Sequence, residues 1–242
     1  MATAVPAPAS RGLRHYFEET RKPVYSLILV LPFLLIYQLG LWFYQSKVIN
    51  GGDAIIKRLL GLVSVHTAFA GVLVLLVCFI VWQIRSKASW KVESDKIGWL
   101  FVESAFFAEL LFHLMGWISR SATACVPSAP GRGLLELALY CGAGVYEELV
   151  FRVLLLSLLM LVFVKLFHMP EFHAALWSVV AGAVLFSLFH YIGPYGDEWS
   201  VNGFVQRAFA GMYFAVLFVT RNFGVACAAH ALYDVRVGLV SF

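Results

Sequence analysis

LLELALYCGAGVYEELVFRVLLLSLLMLVFVKLF, Leu134–Phe167, is apolar over almost its whole length, yet it carries Glu147, Glu148 and Arg152 near its middle. At about 1.5 Å per residue, a helix of this length exceeds a bilayer core of about 30 Å, so the run is either one long bent helix or two elements. A charge at that depth costs several kcal/mol unless it is paired or faces a wet cavity. The stretch therefore poses two questions: what kind of protein surrounds it, and what the charges are for.

Composition answers the first. The chain is 61% hydrophobic and 13% charged, with mean hydropathy +0.83, which leaves too little polar surface to cover a water-soluble globule and indicates an integral membrane protein. Further apolar runs cover Val24–Tyr44, Leu62–Trp82, Gly98–Ile118, His173–Ile192, Phe204–Val219 and Phe223–Val240. Lipid cannot satisfy backbone polar groups, so these runs are helices, and the short alternating segments of a β-barrel are not evident. The expected fold is all-α, a polytopic membrane bundle of about six to eight transmembrane helices.

Residues 1–22, opening MATAVPAPAS, read as a disordered cytoplasmic tail, and residues 23–242 as one transmembrane domain. The first apolar run is late and full length, which favours a retained anchor over a cleaved signal. Arg11, Arg14, Arg21 and Lys22 precede it, and Arg85, Lys87, Lys91 and Lys96 follow the second run; Lys47, Lys57 and Arg58 lie between the two. The positive-inside rule places the N-terminus in the cytoplasm. Basic loops beside anionic lipid account for the net charge of +4, so no nucleic-acid partner is implied. Cys78, Cys125, Cys141 and Cys227 lack CxxC spacing and suggest neither a disulfide framework nor a cysteine metal site.

The charges answer the second question only in combination. On a helix, Glu148 and Arg152 lie about 40° apart in projection and can pair, whereas Glu147 lies about 140° from Arg152 and is left free. Two adjacent carboxylates in different environments can divide acid and base work. In VLFSLFHYIG, Phe186 precedes His190 by one turn; taken alone, that histidine reads as a packing residue. In ACAAHALYD, His230 and Asp234 share one helix face, and Ala226, Ala228, Ala229 and Ala231 permit close helix approach. A carboxylate there can orient an imidazole toward water or a metal.

This ordered set, Glu147-Glu148 with Arg152, Phe186 with His190, and His230 with Asp234, resembles the type II CAAX prenyl protease family, also called the CPBP or bacteriocin-processing family of intramembrane proteases. The resemblance spans the C-terminal half, about 134–240. Asp234 departs from the asparagine more usual at that position, which changes the charge of the pocket. What the resemblance implies is an intramembrane endopeptidase acting on membrane-associated proteins or peptides. Glu147 would activate water, Glu148 and Arg152 would hold the helix and tune the field, and His190, His230 and Asp234 would fix water, stabilise an oxyanion or bind metal. Glu147, His190, His230 and Asp234 are acceptable ligands for zinc or another divalent ion, but the chain lacks a His-Glu-x-x-His helix, so a metal-free mechanism stands equally open. Prenylated CAAX ends, bacteriocin leaders and sorting segments are the conceivable substrates, and a prokaryotic plasma membrane is the expected setting.

Outside these motifs, Glu109 and His113 are four apart in the third span, with Glu103 about 120° of wheel from Glu109. They read as a structural pair, a substrate-path lining or a proton relay. His66 and His173 read as interfacial or packing residues. In YGDEWS, Tyr195–Ser200, Ser200 is a helix cap and Trp199 an interfacial anchor. Two competing functions remain: a proton-coupled transporter built on Glu103, Glu109 and His113, and a non-enzymatic adaptor or immunity-type protein.

Overall fold

The computed structural model describes residues 9–45, 49–62, 69–119, 133–193 and 196–240, and among these residues it is helical with no strand. The helices are α1 (Ala9–Thr20), α2 (Pro23–Phe43), α3 (Gly51–Gly61), α4 (Ala70–Ser86), α5 (Ser94–Ser119), α6 (Gly133–Leu166), α7 (Glu171–Phe189), α8 (Val201–Thr220) and α9 (Phe223–Val240). Five of them, α2 and α5 to α8, are long and apolar enough to cross a bilayer. Helix α4 is apolar but shorter, and α9 runs through the packed interior. The expected polytopic bundle is thus present, and among the described residues each apolar run of the sequence maps in order onto one helix.

Local chemistry sets the helix limits. Pro23 opens α2, where its missing N–H costs nothing, and Asn50 caps α3 by accepting from the Gly52 N–H at 2.7 Å. Lys87, left-handed at φ 53°, closes α4. Ser200 caps α8 as expected, accepting from the Gly203 N–H at 3.0 Å, and Trp199 is exposed beside it. The long run resolves into one helix: α6 is continuous over 34 residues, with π-helical turns over Leu149–Leu156 and Val162–Leu166. Such turns recur at functional sites.

The core forms where α9 meets α2, α5 and α6. Val225, Ala226, Cys227, Ala228, Ala229 and Ala231 are completely buried, because alanine-sized side chains let neighbouring backbones close in. Gly144 of α6 lies close against the α9 backbone: a Cβ there would lie 2.5 Å from the Ala231 nitrogen. The outer faces are strongly apolar, with Leu35, Leu39, Trp42, Phe106 and Trp117 exposed, as expected of a surface solvated by lipid. Cys141 and Cys227 are free and buried, and Cys78 is free and exposed; Cys125, Lys47, His66 and Tyr195 lie outside the described residues.

Two helices fall outside the predicted runs. Helix α1 lies within the N-terminal segment 1–22 and is clamped to the bundle. The Tyr16 hydroxyl donates to Glu103 of α5 at 2.7 Å, and the Arg221 guanidinium pairs with Glu103 and lies 4.4 Å from the Phe17 ring. Burial, reinforced by the bond to Glu103, pushes the Tyr16 hydroxyl well above its ordinary range, so it stays a donor. Helix α3 is short and docks on α6, where a Cβ on Gly52 would lie 2.7 Å from the Tyr146 carbonyl carbon.

Candidate active site

The six candidate site residues Glu147, Glu148, Arg152, His190, His230 and Asp234 converge on one place, contributed by α6, the end of α7, and α9. Glu148 is fully buried and serves two partners: Oε2 lies 3.0 Å from Arg152 Nε, and Oε1 lies 2.8 Å from His230 Nδ1. The Arg152 contact is a charge contact whose alignment falls short of a hydrogen bond. Arg152 also donates to the Gly211 carbonyl at 3.0 Å and lies 4.8 Å from the Phe186 ring, which spreads its charge over α7 and α8.

Glu147 has the different environment that the helical spacing predicts. Its Oε2 lies 3.9 Å from His190 Nε2 and 4.0 Å from His230 Nε2. Those gaps are too long for direct hydrogen bonds, yet one water within about 2.8 Å of each atom can bridge them. The tautomers follow from the neighbours. His190 Nδ1 lies 2.9 Å from the Phe186 carbonyl, which can only accept, so Nδ1 carries hydrogen and Nε2 faces Glu147. His230 Nδ1 likewise faces a carboxylate acceptor, Glu148 Oε1. Asp234 Oδ2 lies 3.5 Å from His230 Nε2. His190 and Asp234 are half-buried, so the site opens on their side.

Sequence reading missed two neighbours. The Phe214 ring stacks on the His230 imidazole at 4.4 Å and 15°, fixing its plane. The Asn50 side-chain N–H donates to Glu147 Oε1 at 2.9 Å from a position 97 residues away in the chain. Its only local signal is an asparagine ahead of Gly-Gly-Asp, the pattern of a helix cap.

The other intramembrane carboxylates belong elsewhere. Glu103 is held by Tyr16 and Arg221, and Glu109 accepts from Arg236 at 2.8 Å with His113 at 3.8 Å. The Asp197 carboxylate, in the loop before α8, pairs with Arg207.

Glu147, His190, His230 and Asp234 have the donor types zinc accepts, but among the described residues no group of three or more such side chains is placed to hold a metal ion. Separations of 3.9 and 4.0 Å around Glu147 Oε2 are within reach of a bridging water.

Residues 132–236 match the family model described as Type II CAAX prenyl endopeptidase Rce1-like, an interval that includes all six candidate site residues and excludes Asn50. The match supports a CAAX-type intramembrane protease, a hydrolase embedded in the membrane. No curated protein and no solved structure matches the chain.

Proposed function

We propose that the protein is an intramembrane endopeptidase in which Glu147 activates a water molecule between its carboxylate and the imidazoles of His190 and His230. The observation that carries this reading is the position of Glu147 Oε2, nearly equidistant from the two Nε2 atoms at 3.9 and 4.0 Å. Glu147 Oε2 accepts a proton as the water oxygen adds to the scissile carbonyl. His190, anchored through Nδ1 to the Phe186 carbonyl, orients the water. Glu148 and Asp234 beside His230 supply the counter-charge for an imidazolium, whose Nε2–H donates to the oxyanion. The tetrahedral intermediate collapses when the Glu147 carboxyl returns its proton to the leaving nitrogen. Water is consumed, the C–N bond breaks, and Glu147 is ready for another turnover.

The half-buried edge formed by His190 and Asp234 is the side open to a substrate chain. A membrane-associated peptide fits that geometry, and a prenylated C-terminal peptide is the first to try, given the description of the matched family. The basic residues before α2 favour a cytoplasmic N-terminus, in a prokaryotic plasma membrane. The transport reading loses support because Glu103 and Glu109 are engaged by arginines away from the motif residues.

The test is cleavage of a fluorogenic prenylated peptide by purified protein in lipid nanodiscs. Glu147→Ala and His230→Ala should each lower kcat by about 10³-fold or more, combining loss of base or oxyanion donor with lost water positioning. Wild-type turnover in both variants would overturn the reading.

A further inference from the structure

We propose that Asn50, at the start of α3 and outside the matched interval 132–236, is a positioning residue for Glu147, assigning the two oxygens of that carboxylate to different tasks. The inference rests on Glu147 being the base. Its support is a chain of hydrogen bonds that leaves Asn50 little freedom. The Asn50 Oδ1 accepts from the Gly52 N–H of its own helix at 2.7 Å, so the side-chain nitrogen must point away from α3. That nitrogen donates to Glu147 Oε1 at 2.9 Å. The Asn50 backbone N–H donates to the Tyr37 hydroxyl at 3.2 Å, and Tyr37 donates to Asp53 Oδ2 at 2.7 Å. Lys57 neutralises Asp53 at 2.8 Å. Gly52, against the Tyr146 backbone, brings this assembly close enough to reach the carboxylate.

The consequence is geometric. With Oε1 tied to Asn50, rotation of the Glu147 carboxylate is blocked and Oε2 stays directed at the two imidazoles. A freely turning carboxylate would spend much of its time misaligned, and a displacement of about 1 Å at a reacting group can cost about 10²-fold in rate. The segment beyond the matched interval thus acts on the site through a residue whose side chain holds Glu147.

Two variants separate this role from helix capping. Asn50→Ser keeps a capping oxygen but is too short to reach Glu147, and Asn50→Asp keeps the cap while removing the donor. Both are assayed with the fluorogenic prenylated peptide, with kcat expressed per folded molecule as judged by thermal melting. The expected result is a kcat about 10²-fold lower in each, with KM within about twofold of wild type. Wild-type kcat in both variants alongside an inactive Glu147→Ala would overturn the role of Asn50 and leave the base assignment standing. Loss that merely tracks the unfolded fraction would overturn it too. Full activity in Glu147→Ala would remove the base assignment and this inference together.

Discussion

At the scale of single residues, Glu148 and Arg152 show what makes charge tolerable in this interior. Each is almost fully buried, and each has further partners: His230 for the glutamate, the Gly211 carbonyl and the Phe186 ring for the arginine. Removing one member of such a pair strands the other, so Arg152→Leu should destabilise the protein by about 3–5 kcal/mol, read as a lowered melting temperature in detergent. Asp234→Asn is a milder change, because an amide oxygen can still face the imidazole. It should retain turnover within about tenfold of wild type, whereas His190→Ala should lose about 10²-fold or more in the same assay. Activity should also survive prolonged dialysis against a strong chelator, since the spacing around Glu147 Oε2 suits a bridging solvent molecule; abolition that added zinc reverses would contradict this. The Glu148–Arg152 pairing and the separation of Glu147 from Arg152 were legible because helical projection determines them. The contact of Glu148 with His230 was not, since it depends on how α6 and α9 cross. Asn50 was illegible for a stronger reason: nothing periodic links a loop residue to a carboxylate 97 positions later.

At the scale of elements, lipid wrote the clearest signals. Every long apolar run became a helix because no other backbone arrangement satisfies its own hydrogen bonds there. Helix α1 and helix α3 went unread because their character lies in what they dock against: α1 presents Leu13 and Phe17 beside charged Arg14 and Glu18, and α3 is only 11 residues long. Whether Leu134–Phe167 formed one helix or two was equally hidden, since π-helical turns have no periodic signature in the side chains. The meeting of α6 and α9 depends on Gly144. Even one methyl there would sit 2.5 Å from the Ala231 nitrogen, only a residue away from His230. Gly144→Val should therefore force the helices apart and lower turnover by about 10²-fold, with a melting temperature several degrees below wild type. Gly12→Ala, where no atom lies within 4 Å, is the matched control and should behave as wild type.

At the scale of the whole molecule, the Arg221–Glu103 pair ties α1, α5 and the α8–α9 junction together. It is buried and remote from Glu147 in its partners, so Glu103→Gln should lower thermal stability by a few kcal/mol while the folded fraction keeps wild-type kcat. A proportional loss of kcat per folded molecule would instead tie Glu103 to the chemistry. The same region joins distant parts of the sequence. The Asn222 side chain donates to the Thr20 carbonyl across 202 residues, and the Gly224 N–H donates to the Ser26 hydroxyl across 198. At about 5–20 residues per second of synthesis, α2 waits roughly 10–40 s in the bilayer before α9 arrives to pair with it. Only in its last part does the nascent polypeptide carry Glu147 and His190, and the second imidazole, on α9, comes later still. The proposed site is therefore incomplete until α9, which brings His230 and Asp234, has been made and has docked against α6.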